Sequence, residues 1–222
     1  MLYIVATPIG NLEDMTLRAI RTLKESDYIA AEDTRHSRIL LDKYEIKTPV
    51  LSYHSYSSQN KLEKIIELLK ENKTVSLISD AGTPGISDPA YALIKEAIAN
   101  NIQIVPIPGA SALLSALVPS GLPMNQFLYL GFLPLKKGRQ TLLKSLTEEP
   151  RTIVIFEAPH RILKTLNHLL SYFPSRPISI CRELTKLHEE IFRGTIPQAI
   201  DHFTNKKPKG EFTLVLGPKQ KS

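Results

Sequence analysis

A chain of 222 residues, 42% hydrophobic and 23% charged, has the make-up of a globular protein with room for one large or two small cores. Its net charge of +6 admits a nucleic-acid partner without demanding one. The single cysteine, Cys181, excludes an intrachain disulfide and a cysteine-based zinc site and suits a reducing cytoplasm, and no segment reads as a signal peptide or as a membrane span.

Leu2–Ala6 reads as a short buried strand, and Thr16–Lys24 as a helix with Leu17, Ile20 and Leu23 on one face. Tyr28–Ala31 is a second strand, followed by a helix through Ile39, Leu40 and Leu41. Helical spacing returns in Leu62, Ile65, Ile66 and Leu69. Thr74–Ile78 is a strand, the helix from Ala90 carries Leu93, Ile94, Ala97 and Ile98, Gln103–Pro106 is a strand, and Pro108–Ala112 opens another helix. Repeated strand–helix units predict a parallel α/β sheet. Turn formers in Leu117–Gln126 interrupt the pattern and place a domain boundary there, with residues 1–116 before it and 117–222 after it. Beyond it come strands at Phe127–Phe132, Thr152–Phe156, Ile178–Arg182, Glu190–Arg193 and Phe212–Leu216. Helices are expected at Gln140–Leu146 and through Ile162, Leu166 and Leu169. Closely spaced strands with fewer helices predict a mixed-sheet α+β second domain.

The polar residues concentrate in loops after strands, the edge where open α/β sheets bind ligands. The loop Ser79–Pro89 holds two carboxylates, Asp80 and Asp88, and no Lys or Arg, which suits ribose hydroxyls or a cationic centre and not a phosphate; it equally reads as an ordered Pro/Gly turn in which Ser87 or Asp88 caps the following helix. Neither a GxGxxG nor a P-loop pattern occurs, and the histidines lack zinc-site spacing.

Thr7-Pro8-Ile9-Gly10-Asn11-Leu12, Glu32-Asp33-Thr34-Arg35, Ser79–Pro89, Pro106–Ala112, Ser120–Pro123, Gly131–Pro134, Glu157-Ala158-Pro159-His160-Arg161, Arg182–Lys186 and Lys209–Glu211 follow one another in order. In these motifs the chain resembles the ribosomal RNA small subunit methyltransferase I family of the tetrapyrrole methylase superfamily, the class III S-adenosyl-L-methionine-dependent methyltransferases. The resemblance implies a two-domain α/β fold with the cofactor in a cleft between the domains, and a homodimer. It implies 2′-O-methylation of a cytidine in the decoding region of small-subunit ribosomal RNA, free or in the 30S subunit. The cofactor contacts it implies are Pro8, Ile9, Gly10, Asp80, Ala81, Gly82, Thr83, Pro84, Ile86, Ser111, Ala112, Glu157, Ala158, Pro159, Glu211, Thr213 and Leu214. Longer members carry a further small C-terminal domain, so RNA affinity or target choice is expected to differ in a chain ending at Ser222. The stretch after His54, Ser55–Asn60, lacks the acidic residues usual there.

A ribose hydroxyl is a weak acid, so transfer to it needs a base or a cation beside the developing alkoxide. Asp33 and Glu183 are the candidate carboxylates, and Arg35, Arg182 and Lys186 the candidate cations, the alternative for each being a salt bridge or a capping contact. Asp80, Asp88 and Glu157 suit the diol or ammonium of the cofactor. Lys136, Lys137, Arg139 and Lys144 form one candidate phosphate patch, and Lys206, Lys207 and Lys209 another. Tyr53 and His54 read as a half-buried strand end, and as an alternative have the chemistry to stack on a flipped base. A tetrapyrrole C-methyltransferase and a non-catalytic RNA-binding protein are the competing readings.

Overall fold

The computed structural model describes residues 1–54, 59–204 and 209–219, which fall into two compact units, Met1–Ser111 and Ala112–Ser222. Ser55–Ser58 and the expected patch residues Lys206 and Lys207 lie outside the described residues. The second unit begins at Ala112 and not at Leu117, because the helix α5 (Ala112–Leu117) buries Ala116 and Leu117 against Val154, Cys181 and Val215 of the second sheet.

The first unit is a five-stranded parallel sheet in the order β3-β2-β4-β1-β5. Its strands are β1 (Leu2–Val5), β2 (Tyr28–Ala31), β3 (Val50–Ser52), β4 (Val75–Ile78) and β5 (Ile104–Ile107). Parallel strands covered on both faces need apolar residues at successive positions, and all four residues of β4 are buried. Helices α1 (Leu17–Glu25) and α2 (Thr34–Lys43) cover one face through Ala19, Leu23, Leu40 and Leu41. Helices α3 (Gln59–Lys70) and α4 (Ala90–Ala99) cover the other through Ile65, Ile66, Leu69, Leu93 and Ala97. The Thr16 hydroxyl caps α1 by accepting from the Ala19 N–H at 3.0 Å.

The face assignment fixes where the connections part. The chain leaves β1 and β2 toward one face and β3 and β4 toward the other, so β4 has on either side a strand whose helix lies opposite its own. Such a switch point opens a crevice at the carboxyl ends of the strands.

The second unit is a mixed sheet, β6-β7-β10-β8-β9. The strands are β6 (Phe127–Phe132), β7 (Thr152–Glu157), β8 (Pro177–Arg182), β9 (Glu190–Thr195) and β10 (Phe212–Leu216). Only β6 and β7 run parallel. Helices α6 (Arg139–Ser145), α7 (Ile162–Tyr172) and α8 (Ile196–Thr204) pack on the larger core, and α5 covers the opposite face. Phe212 pairs with both Glu157 and Arg182, and Arg182 pairs with Glu190. The segments after β6, β7 and β8 and before β9 and β10 therefore share one sheet edge. Among the described residues no helix is long and apolar enough to cross a membrane.

Candidate functional site

In the first unit, four loops are fastened around the end of β4. Thr7 and Gly82 exchange backbone hydrogen bonds at 2.9 and 3.0 Å, and the Thr7 hydroxyl donates to Ser79 O at 3.1 Å. The Thr83 hydroxyl donates to Ala110 O at 3.1 Å, tying in the loop after β5. The Asp33 N–H donates to Asp80 Oδ1 at 3.0 Å, tying in the loop after β2. Pro8, Ile9, Gly82 and Pro84 are buried, Thr83 and Ser111 half-buried, and Gly10, Ala81 and Ile86 exposed.

The carboxylates of this edge have different tasks. Asp88 accepts the Gly85 N–H on both oxygens at 2.8 Å and the Ala90 N–H at 2.9 Å, so it closes its own loop and starts α4. This is the turn-closing and capping role that the sequence offers Asp88 as an alternative to a ligand contact. Asp33 caps α2 and takes the Arg35 guanidinium on both oxygens at 3.2 and 2.9 Å, which holds its carboxyl well below the usual carboxylate range. A carboxylate so held is a poor proton acceptor near neutral pH. Asp80 is half-buried beside Glu32, the first residue of the Glu32–Arg35 motif and not one of the expected site residues. Burial, and then the Asp80 and Asp88 charges, push the Glu32 carboxyl above its ordinary value. A sequence gives no sign of such crowding, beyond an acidic residue directly ending a buried strand. Tyr53, directly after β3, is core and 4% exposed, which agrees with the strand-end reading and leaves the alternative of base stacking without a free ring face.

In the second unit, Glu157 sits in a buried network. Its carboxylate takes the Arg161 Nε at 3.0 Å, the Ala158 N–H at 2.9 Å and the Thr165 hydroxyl. Thr165 in turn accepts from Arg139 Nη2 at 2.7 Å, and Arg139 Nε donates to His168 Nδ1 at 3.0 Å. Every oxygen of Glu157 is thus engaged within its own unit, and the carboxylate fixes the Ala158–Pro159 turn. Thr165 carried no motif signal. Arg139, 4% exposed, is no member of a phosphate patch, whereas Lys136, Lys137 and Lys144 are exposed.

His168 must keep Nδ1 unprotonated to accept from Arg139, and burial, then the Arg139 and Lys164 charges, lower its pKa below the ordinary 6.5. Near that value the unfolded chain binds more protons at this site than the folded one. Stability therefore rises with pH there and is lost as pH falls through 6.5 toward the lowered value. Thermal midpoints measured from pH 7 to 5 are expected to fall, and to fall less in His168→Gln, whose amide oxygen accepts without titrating. Equal slopes in the two proteins would place the loss elsewhere.

A second cluster stands beside this network at the same sheet edge. Lys186 Nζ bridges Glu183 Oε1 at 2.9 Å and Glu211 Oε2 at 2.8 Å, and the Glu211 N–H donates to Glu183 Oε1 at 3.0 Å. Burial opposes the charge on Glu183, but Lys186 and the Glu211 N–H hold its pKa below the ordinary value. Burial likewise opposes the Lys186 charge, and the two carboxylates raise its pKa regardless. Glu183 and Thr185 take φ of 51° and 66°, at a cost of about 1–2 kcal/mol each. Gly210 is required opposite, since a Cβ there would stand 2.3 Å from the Glu183 side chain. Strain of this kind is retained where the surroundings over-determine it, often at sites of function. Arg182 is spent on Lys209 O and Glu190. Thr213 and Leu214 lie inside the central strand β10, with Leu214 wholly in the core. Burial pushes the Cys181 thiol up to about 11, so it is no nucleophile.

Residues 1–200 match the family of Tetrapyrrole (Corrin/Porphyrin) Methylases. The chain is 52% identical over 219 residues to a protein named ribosomal RNA small subunit methyltransferase I from Thermotoga maritima, covering 99% of each. It is 50% identical over 218 residues to one of the same name from Synechocystis sp., covering 97% of this chain and 78% of the relative. Of solved structures, a cobalt precorrin-4 methyltransferase of cobalamin biosynthesis matches with TM-score 0.72 at 16% identity, over 97% of this chain and 94% of that one. Uroporphyrin-III C-methyltransferase of Thermus thermophilus, complexed with S-adenyl homocysteine, matches with TM-score 0.68 at 17% identity, over 96% of each. At these identities the two structures are alike in fold.

Proposed function

We propose that this chain, which belongs to the tetrapyrrole methylase family and within it to the ribosomal RNA small subunit methyltransferase I family, methylates the 2′-hydroxyl of a cytidine in the decoding region of small-subunit ribosomal RNA, with S-adenosyl-L-methionine as donor. The observation that carries the reading is the near-full-length identity to relatives of that name. When bound, S-adenosylmethionine supplies an electrophilic methyl group on a sulfonium. The donor set at the β4 edge fits it. Glu32 and Asp80 offer carboxylates to a cationic ligand carrying an ammonium and a ribose diol, and no Lys or Arg occurs in Ser79–Pro89 to oppose them.

The chain's own residues account for the rest. The ties among Thr7, Gly82, Thr83, Ala110, Asp33 and Asp80 hold the loops in place before binding, so less ordering entropy is lost on binding. Lys186 keeps its proton and its charge between two carboxylates, which suits it to stabilise a developing alkoxide or a phosphate and not to act as a base. Arg35 pairs with Asp33 and is otherwise solvated.

The test is tritium transfer from labelled S-adenosylmethionine to small ribosomal subunits lacking the modification, with the product nucleoside identified by mass spectrometry. A 2′-O-methylcytidine is expected. Transfer to a porphyrin precursor instead would establish the tetrapyrrole reading, and cofactor binding without transfer to either would refute the acceptor.

A further inference from the structure

Phe132 departs from the pattern of its strand. In β6, Leu128 and Leu130 pack on the larger core, while Phe127 and Tyr129 lie on the opposite face. Unbroken alternation would send Phe132 inward with Leu128 and Leu130. The register against β7 instead shifts between Tyr129 and Phe132, where Gly131 takes φ of 63°. Phe132 thereby meets the ring of Phe156 edge-on with centroids 5.9 Å apart, and Phe156 meets Tyr129 at 5.2 Å. The outcome is an aromatic side chain left 51% exposed at the end of an edge strand, with Leu135 exposed three residues on. Irregularities of this type serve to re-aim a side chain.

The backbone behind that ring is pinned from the buried network. Arg161 Nη2 donates to Leu133 O at 2.6 Å and Arg139 Nη1 to Pro134 O at 3.3 Å. The next two charged residues, Lys136 and Lys137, are exposed, and among the described residues no carboxylate pairs with either. No Asp or Glu occurs between Glu96 and Glu148, so Lys136, Lys137, Arg139 and Lys144 are the only charges in that stretch, and Arg139 is buried.

An exposed aromatic ring four and five residues before two exposed lysines, on a pinned segment in an acid-free stretch, matches a ligand with flat faces and repeated negative charge. We infer that Phe132, Lys136 and Lys137 form a contact for single-stranded RNA, with a base stacked on Phe132 and the lysines meeting phosphates. This rests on the RNA-substrate reading above and adds where and how the strand is held.

Fluorescence anisotropy with a labelled single-stranded oligoribonucleotide of the decoding-region sequence tests it. Phe132→Ala is expected to weaken binding roughly tenfold, and Phe132→Trp to retain it, with thermal midpoints unchanged. The double variant Lys136→Gln, Lys137→Gln is expected to lower the slope of log K against log salt by about 1.4. Phe132→Ala binding within about twofold of wild type, or Phe132→Trp binding as weakly as Phe132→Ala, overturns the inference. So does a Phe132→Ala protein whose sedimentation changes while its RNA affinity does not, which makes the ring a contact between copies. If the wild type methylates small subunits and the variants bind RNA unchanged, this surface alone falls. If the wild type neither binds RNA nor transfers methyl groups, the functional reading falls with it.

Discussion

Arg139→Glu is expected to unfold the second unit, whereas the double reversal Lys136→Glu, Lys137→Glu is expected to leave it folded. The three residues sit within four positions of one another and read alike as a basic run, but their surroundings differ. Arg139 lies on the face of α6 that also buries Leu143, and it donates to Thr165, His168 and Pro134 O. A carboxylate at this position would face Glu157 across Thr165 and lose all three acceptors. Breaking a buried ionic arrangement by removing one partner costs about 3–5 kcal/mol, a large share of the 5–15 kcal/mol that typically holds a domain. Hydrogen exchange read by mass spectrometry on peptides from α6, β7 and α7 is the measurement, because it reports the second unit separately from the first. Protection equal to wild type in Arg139→Glu would show that the network contributes little.

Glu32→Gln is expected to weaken S-adenosylmethionine binding by about 1.5–3 kcal/mol, roughly tenfold to a hundredfold in Kd, as befits loss of a charged hydrogen-bond partner. The pH profile gives a sharper reading than the magnitude. Burial and the neighbouring Asp80 and Asp88 raise the Glu32 pKa. A carboxylate attracts a cation only when ionised, so wild-type affinity should decline with falling pH earlier than an ordinary carboxylate would allow. In Glu32→Gln that decline should move to lower pH. Calorimetric titration across the acid range decides the matter, and identical profiles for the two proteins would exclude Glu32 from the binding site.

The strands were legible where burial on both faces imposed it. β4 buries every residue, and such runs stand out without alternation. β3 escaped detection because Val50–Ser52 is three half-buried residues at a sheet edge. Helix α8 escaped although its signal was present. Thr195 and Gln198 form a capping box, the Thr195 N–H donating to Gln198 Oε1 at 2.9 Å and the Gln198 N–H to the Thr195 hydroxyl at 3.4 Å. The loops of the candidate site were legible because turn formers following strands mark a sheet edge. What stayed hidden was how each polar side chain is used. The place of Asp88 just before a helix marks it as a capping candidate, and it is spent on Gly85 and Ala90, but nothing in the sequence marks Asp80 as standing beside Glu32. Arg139 belongs by residue type to the basic run, but its helical spacing to Leu143 and Leu146 places it on the buried side.

The position of β10 also bears on synthesis. The first sheet has all its strands once Ile107 has left the ribosome, but in the second sheet the last strand to be made lies in the middle. Until Phe212–Leu216 emerges, β7 and β8 each present an unpaired edge lined by Ile153, Ile155, Ile178 and Ile180, and the sheet stands in two halves. Edges of that composition invite pairing with other chains. A ribosome stalled short of residue 212 would hold a finished first unit joined to an aggregation-prone second one, which makes this nascent chain a candidate client for chaperones during the final stretch of translation.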